Sequence, residues 1–188
     1  MTFAIGDSAD FSETRVESSS VFNGRIVNLR VDRVRMSDGR LVNREVVEHK
    51  PAVVILAEID DERVALVRQH RYAVGETLFE LPAGIVEPGE DFAESAVREL
   101  REEVGWRPSR VEKIAEFYTS PGFTDEIITM FYATGLSMDK LPLDEDEILA
   151  ADFASRAEIE EMLLDGSIKD CKTLFGLQWW LNKLNARA

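Results

Sequence analysis

The chain has 188 residues, 45% apolar and 31% charged, with 36 acidic against 22 basic side chains and a net charge of −14. That length suits one well-packed domain with a small annex, and the acidic balance argues against non-specific binding to nucleic acid or anionic membranes, which rests on basic patches. Cys171 is the only cysteine, so no internal disulfide forms and a cytoplasmic location is expected; no apolar run reaches the roughly 18 residues of a membrane span.

Residues 1–20 are polar, include Ser18-Ser19-Ser20 and carry no sustained period; they are expected to be mobile or to form a short leading strand. From Val21 the spacing of Ile26, Leu29, Val31, Val34 and Met36, a turn at Ser37-Asp38-Gly39-Arg40 and a second run from Leu41 to Glu48 predict a β-hairpin, so residues 21–50 read as an N-terminal β annex. Ala52 to Ile59 is nearly continuously apolar and predicts a buried strand. Val64 to Val67 predicts another that runs into Arg68-Gln69-His70-Arg71, and Leu78 to Leu81 a third. Val111–Tyr118 and Ile127–Ala133 read as strands on either side of a loop, and Ile148–Phe153 as a last strand.

Ser155 with Glu158 makes a capping box for a helix that Gly166 stops, and Thr173 to Leu184 forms a final helix with Leu174, Leu177, Trp180 and Leu181 on its apolar face. Strands and helices mix without a βαβ rhythm, which predicts an α+β domain over 51–188, an α/β/α sandwich with a mixed sheet, rather than a doubly wound one.

Between these elements lies Glu80 to Trp106, ELPAGIVEPGEDFAESAVRELREEVGW. Ala93, Ala96, Val97, Leu100 and Val104 recur at helical spacing and predict a helix from about Asp91 to Val104. Glu99, Glu102 and Glu103 fall off that stripe, so three carboxylates are expected to crowd one exposed patch. Like charges at this spacing cost an isolated helix roughly 0.2–0.5 kcal/mol per pair, a cost that a hard divalent cation bound by their oxygens removes. A solvated acidic face is the bland alternative. Pro82-Ala83-Gly84 reads as a strand entering a tight loop where backbone approaches a ligand, and Pro88-Gly89-Glu90 as the turn into the helix.

Gly84, Glu90, Arg98-Glu99-Leu100, Glu102-Glu103 and Gly105 stand at the spacing of the Nudix box, and the stretch resembles that signature of hydrolases acting on nucleoside diphosphates linked to another moiety. Trp106 replaces the usual closing aliphatic residue. Arg44-Glu45-Val46-Val47-Glu48-His49, Arg68-Gln69-His70-Arg71 and Ser120-Pro121-Gly122-Phe123-Thr124-Asp125-Glu126 further resemble the ADP-ribose pyrophosphatase branch, with Pro121 sixteen residues beyond Gly105.

The resemblance implies hydrolysis of ADP-ribose to AMP and ribose 5-phosphate. Two or three magnesium or manganese ions per site would be held by the Ala83 carbonyl, Glu99 and Glu103, with Glu102 as a further or supporting ligand. It implies that Arg98 holds these glutamates, and that the loop Asp144-Glu145-Asp146-Glu147 supplies a base, Glu145 or Glu147, the latter also a possible ligand. Arg44, Glu45, Arg71 and Glu90 match substrate contacts, as do Gly84 and the loop residues Pro121, Gly122 and Phe123; Arg25 and Ile26 match the adenine pocket. His49 reads as structural. The branch is typically a homodimer that exchanges its N-terminal strands. Rival readings are the same cleavage of GDP-mannose, another nucleoside diphosphate sugar or a dinucleotide such as NADH, and a non-catalytic ADP-ribose sensor.

Overall fold

The computed structural model describes residues 10–60, 62–143 and 148–187. They fall into two compact units, one of Met1–Lys50 with Ser120–Glu126, the other of Pro51–Thr119 with Ile127–Ala188.

In the first unit, β1 (Glu13–Asn23), β2 (Val27–Met36) and β3 (Leu41–His49) form an antiparallel sheet in the order β1-β2-β3. The expected hairpin is β2-β3, with Val34 opposite Val42. The mobile reading of residues up to 20 is corrected from Glu13 onward: β1 pairs along β2 from Glu13↔Met36 to Asn23↔Asn28, with two register shifts. An edge strand is held by backbone hydrogen bonds and needs no apolar alternation, so periodicity does not reveal it. The loop Ser120–Glu126 belongs here too, because Val47 N–H donates to Phe123 O at 2.8 Å and Asp125 N–H to Val47 O at 3.3 Å. Asp125 Oδ1 also accepts from His49 N at 2.9 Å, and His49 Nδ1 lies 3.4 Å from Glu126 Oε1.

The second unit is built on β4 (Ala52–Asp60), β5 (Arg63–Arg71), β6 (Glu76–Glu80) and β7 (Ala83–Ile85), followed by α1 (Phe92–Glu103). After α1 come β8 (Trp106–Arg107), β9 (Arg110–Tyr118), β10 (Ile127–Thr134), β11 (Ser137–Met138) and β12 (Leu149–Ser155), then α2 (Arg156–Leu164) and α3 (Cys171–Arg187). Seven strands make one sheet in the order β12-β5-β4-β10-β9, with β6 paired to β5 and β7 to β4. The pair β4-β10 is parallel and the others antiparallel, so the sheet is mixed as expected.

The side-chain alternation of a strand divides the core. Val53, Ile55 and Ala57 of β4 face one cluster with Ala96 and Leu100 of α1. Val54 and Leu56 face another with Ile159 of α2 and Leu177, Trp180 and Leu181 of α3. Burial on both faces is why β4 is almost wholly apolar, and it makes this unit the predicted α/β/α sandwich. In α3, Leu174 is 37% exposed, correcting its place on the buried face. Trp106, at the end of the box, packs edge-on against Phe153 with ring centroids 5.7 Å apart.

Candidate active site

Helix α1 begins where Asp91 accepts hydrogen bonds from Ala93 N and Glu94 N, a side-chain cap directly after the Pro88-Gly89-Glu90 turn. Ala96 and Leu100 anchor it in the core. One turn of register then places Glu99 and Glu103 toward β7. This corrects the expected exposed patch: Glu99 and Glu103 retain only 8% and 6% of their accessible surface. Burial of charge needs partners, and the structure supplies them. Arg98 Nη1 donates to Glu99 Oε1 at 2.7 Å and to Glu102 Oε2 at 2.9 Å, while Glu103 Oε2 accepts from Ala83 N at 3.0 Å.

The remaining fork of Arg98 closes on Glu90, with Nε to Oε1 at 2.9 Å and Nη2 to Oε2 at 3.0 Å, and Nη2 also donates to Ile85 O at 3.1 Å. Arg98 therefore ties the helix to the turn before it and to β7. The hydrogen bonds to Glu90 and the charges of Glu99 and Glu102 raise the guanidinium pKa despite burial. In return Arg98, with help from Ser95 and the Glu87 N–H, holds the Glu90 carboxyl at about 2. Glu90, expected to touch substrate, is thus engaged in fixing Arg98. Gly84 is required by contact: a Cβ there would lie 2.0 Å from Glu99 Cδ and Oε1.

Among the described residues no three of His, Cys, Asp and Glu are already drawn into a cation cage. What the site offers is a set of carboxylate oxygens on α1 lying against the backbone of Ala83 and Gly84. Hard oxygen donors of this kind fit magnesium or manganese.

Arg71, at the end of β5, is not loose at the surface but grips Glu80, with Nε to Oε1 at 2.7 Å and Nη2 to Oε2 at 2.8 Å. Glu80 is 2% exposed. Burial alone pushes its carboxyl up, but Arg71 and Lys172 outweigh this and hold it at about 2. The sequence reading missed Glu80, Lys172 and Thr173. One signal was available, an acid placed inside the apolar run Leu78-Phe79-Glu80-Leu81, where a charge survives only with a partner.

In the first unit, Arg25 and Ile26 form the exposed tip between β1 and β2. Arg44 donates to both oxygens of Glu13, at 3.0 and 2.5 Å, and Glu45 is exposed beside it on β3. Pro121, Gly122 and Phe123 are exposed on the loop that pairs with Val47. Glu145 and Glu147 lie outside the described residues.

Gly84, expected in a tight loop, lies instead within strand β7 and pairs with Val53. A carboxylate helix locked by one arginine against that glycine strand defines a class, and the chain belongs to the Nudix family: the NUDIX domain matches residues 48–172. Residues 13–47, the β1-β2-β3 sheet, match the nucleoside diphosphate sugar hydrolase N-terminal domain. Over 169 residues the chain is 36% identical to the ADP-ribose pyrophosphatase of Bacillus subtilis (strain 168), covering 89% of this chain and 91% of that protein. It is also 36% identical over 171 residues to the methanol dehydrogenase activator of Bacillus methanolicus, covering 90% and 92%. A crystal structure of an ADP compounds hydrolase shares the fold, with a TM-score of 0.85 at 22% identity over 96% of this chain and 99% of that one.

Proposed function

We propose that this Nudix hydrolase cleaves the diphosphate of ADP-ribose to give AMP and ribose 5-phosphate. What carries the reading is an intact set of box carboxylates locked by Arg98, in a chain similar along nearly its whole length to a protein named ADP-ribose pyrophosphatase.

The Ala83 carbonyl, Glu99, Glu103 and Glu102, with Glu147, would hold two or three magnesium or manganese ions. When bound, such ions polarise the diphosphate and lower the pKa of a bound water. The protein's own groups do the rest. Arg98 keeps Glu99 and Glu102 apart from each other's charge and aimed together. Arg71 neutralises a diphosphate oxygen, for which a guanidinium is suited. Glu145 or Glu147 takes the proton of the water as its oxygen bonds to phosphorus in line and the bridging oxygen leaves with the other phosphate.

The β annex of residues 21–50, extended by β1, serves dimerisation and substrate contact, through Arg25, Ile26, Arg44 and Glu45. Homodimer formation with exchanged N-terminal strands is supported by β1, exposed along all 11 residues with Val16, Val21 and Phe22 among them. Such an edge invites pairing. No described helix is long and apolar enough to cross a membrane, and a cytoplasmic site of action follows the single-cysteine argument.

The test is AMP release from ADP-ribose, GDP-mannose, NADH and diadenosine polyphosphates, with magnesium or manganese and with chelator. Metal-dependent preference for ADP-ribose is expected. Preference for another compound moves the assignment within the family, and tight ADP-ribose binding without turnover makes the protein a sensor.

A further inference from the structure

Glu80 has the least exposed carboxylate among the described residues, and its oxygens are shared by two cations. Oε1 accepts from Arg71 Nε at 2.7 Å, and Oε2 from Arg71 Nη2 at 2.8 Å and Lys172 Nζ at 2.5 Å. Lys172 is 14% exposed and lies 3.0 Å from Asp170 Oδ2, which also accepts from Thr173 N at 3.0 Å and Thr173 Oγ1 at 2.6 Å. Thr173 Oγ1 in turn accepts from Leu81 N at 2.8 Å. The first turn of α3 therefore grips two consecutive residues, Glu80 at the end of β6 and Leu81 just after it, ahead of the site strand β7.

A buried ion network of this size is poor economy if only stability is at stake, because well-packed apolar residues of similar volume do as well or better. Its geometry has a different product. Arg71 is 42% exposed although its partner is buried, so the guanidinium stands at the surface with its rotation fixed. Nε and Nη2 are used on Glu80, which leaves Nη1 for a ligand. Arg71 also lies within electrostatic reach of Glu103, on the carboxylate face of α1.

We propose that Glu80 and Lys172 are positioning residues that hold the Arg71 guanidinium in the orientation in which it takes a diphosphate oxygen. Glu80 supplies the bidentate grip, and Lys172, seated by Asp170, fixes Glu80. The proposal rests on the reading of Arg71 as a substrate contact.

The experiment is steady-state kinetics on ADP-ribose for Arg71→Ala, Lys172→Met, Lys172→Arg and the double variant R71A/K172M, with thermal unfolding of each. Arg71→Ala is expected to raise KM roughly tenfold or more, the loss of one charge-assisted hydrogen bond. Lys172→Met should raise KM several-fold with kcat within about twofold, Lys172→Arg should recover most of the loss, and K172M should add nothing once Arg71 is gone. Unchanged KM in Arg71→Ala overturns the substrate-contact reading and the proposal with it. A large effect of Arg71→Ala beside a harmless Lys172→Met overturns the proposal alone, as does an equal effect of K172M with and without Arg71. Glu80→Gln is the second probe; the lysine variants decide the matter if it fails to fold.

Discussion

Gly84 and Glu99 compete for the same small volume: a side-chain carbon at 84 would sit 2.0 Å from the Glu99 carboxyl carbon. Helix α1 cannot retreat, because the neighbouring Leu100 is fully buried in the core, so the carboxylate must turn away. Gly84→Ala is expected to lower kcat/KM roughly a hundredfold, the scale on which small misplacements act in active sites. Its Tm should stay within a few degrees of the parent. Kinetics near those of the parent would show that Glu99 does not need this position.

Glu103 Oε2 accepts from Ala83 N at 3.0 Å, and the amide oxygen of Gln can accept the same bond. Glu103→Gln should therefore keep the fold while removing a charge from the carboxylate set. Turnover is expected to fall by roughly a thousandfold, with weaker magnesium or manganese binding by calorimetry. Activity close to normal removes Glu103 from the metal ligands.

Acid stability follows from Glu90, whose carboxyl Arg98 holds at about 2, and from Glu80, also held at about 2. Both values lie below the roughly 4.3 of an unfolded glutamate. The stability these groups contribute is fully present above about pH 4.5 and is lost as pH falls toward 2. The urea midpoint of the parent should drop through that window. Glu90→Gln should be less stable than the parent at pH 6 and converge on it at low pH; a constant gap at all pH values would contradict the assignment.

Strand β1 presents Val16, 51% exposed, on the outer edge of its sheet. If a second copy covers that edge, Val16→Glu should halve the mass measured by light scattering and reduce activity. A parent protein that already runs as a monomer ends the exchanged-strand reading.

Much of the chain was legible from local pattern. The unbroken apolar run from Ala52 signals a strand buried on both faces, as β4 is. The Ser155 and Glu158 capping box stands as expected at the head of α2, and the box spacing marks α1, which runs one residue inside its expected bounds at each end. Such signals are local, since each depends on residues within one or two turns or along one strand. For β1 the pattern left open a mobile segment or a short leading strand; the strand is what forms, and its 11-residue length was not legible because its pairing is backbone to backbone along β2.

The site divides in the same way. The candidate side chains Gly84, Glu90, Arg98, Glu99, Glu102 and Glu103 were legible from the chain alone, because they lie close together in it and the last four stand at spacings that bring them onto one helix. Their surroundings came from packing between segments distant in the chain. Glu99 and Glu103 are buried rather than exposed because β7 pairs with β4 above the helix. The Pro121 loop joins the N-terminal sheet through Val47, far away in sequence. Glu80 meets Lys172 across 92 residues, and no periodicity of either segment records that meeting, since the partner of a buried charge is chosen by how the sheet and helices pack.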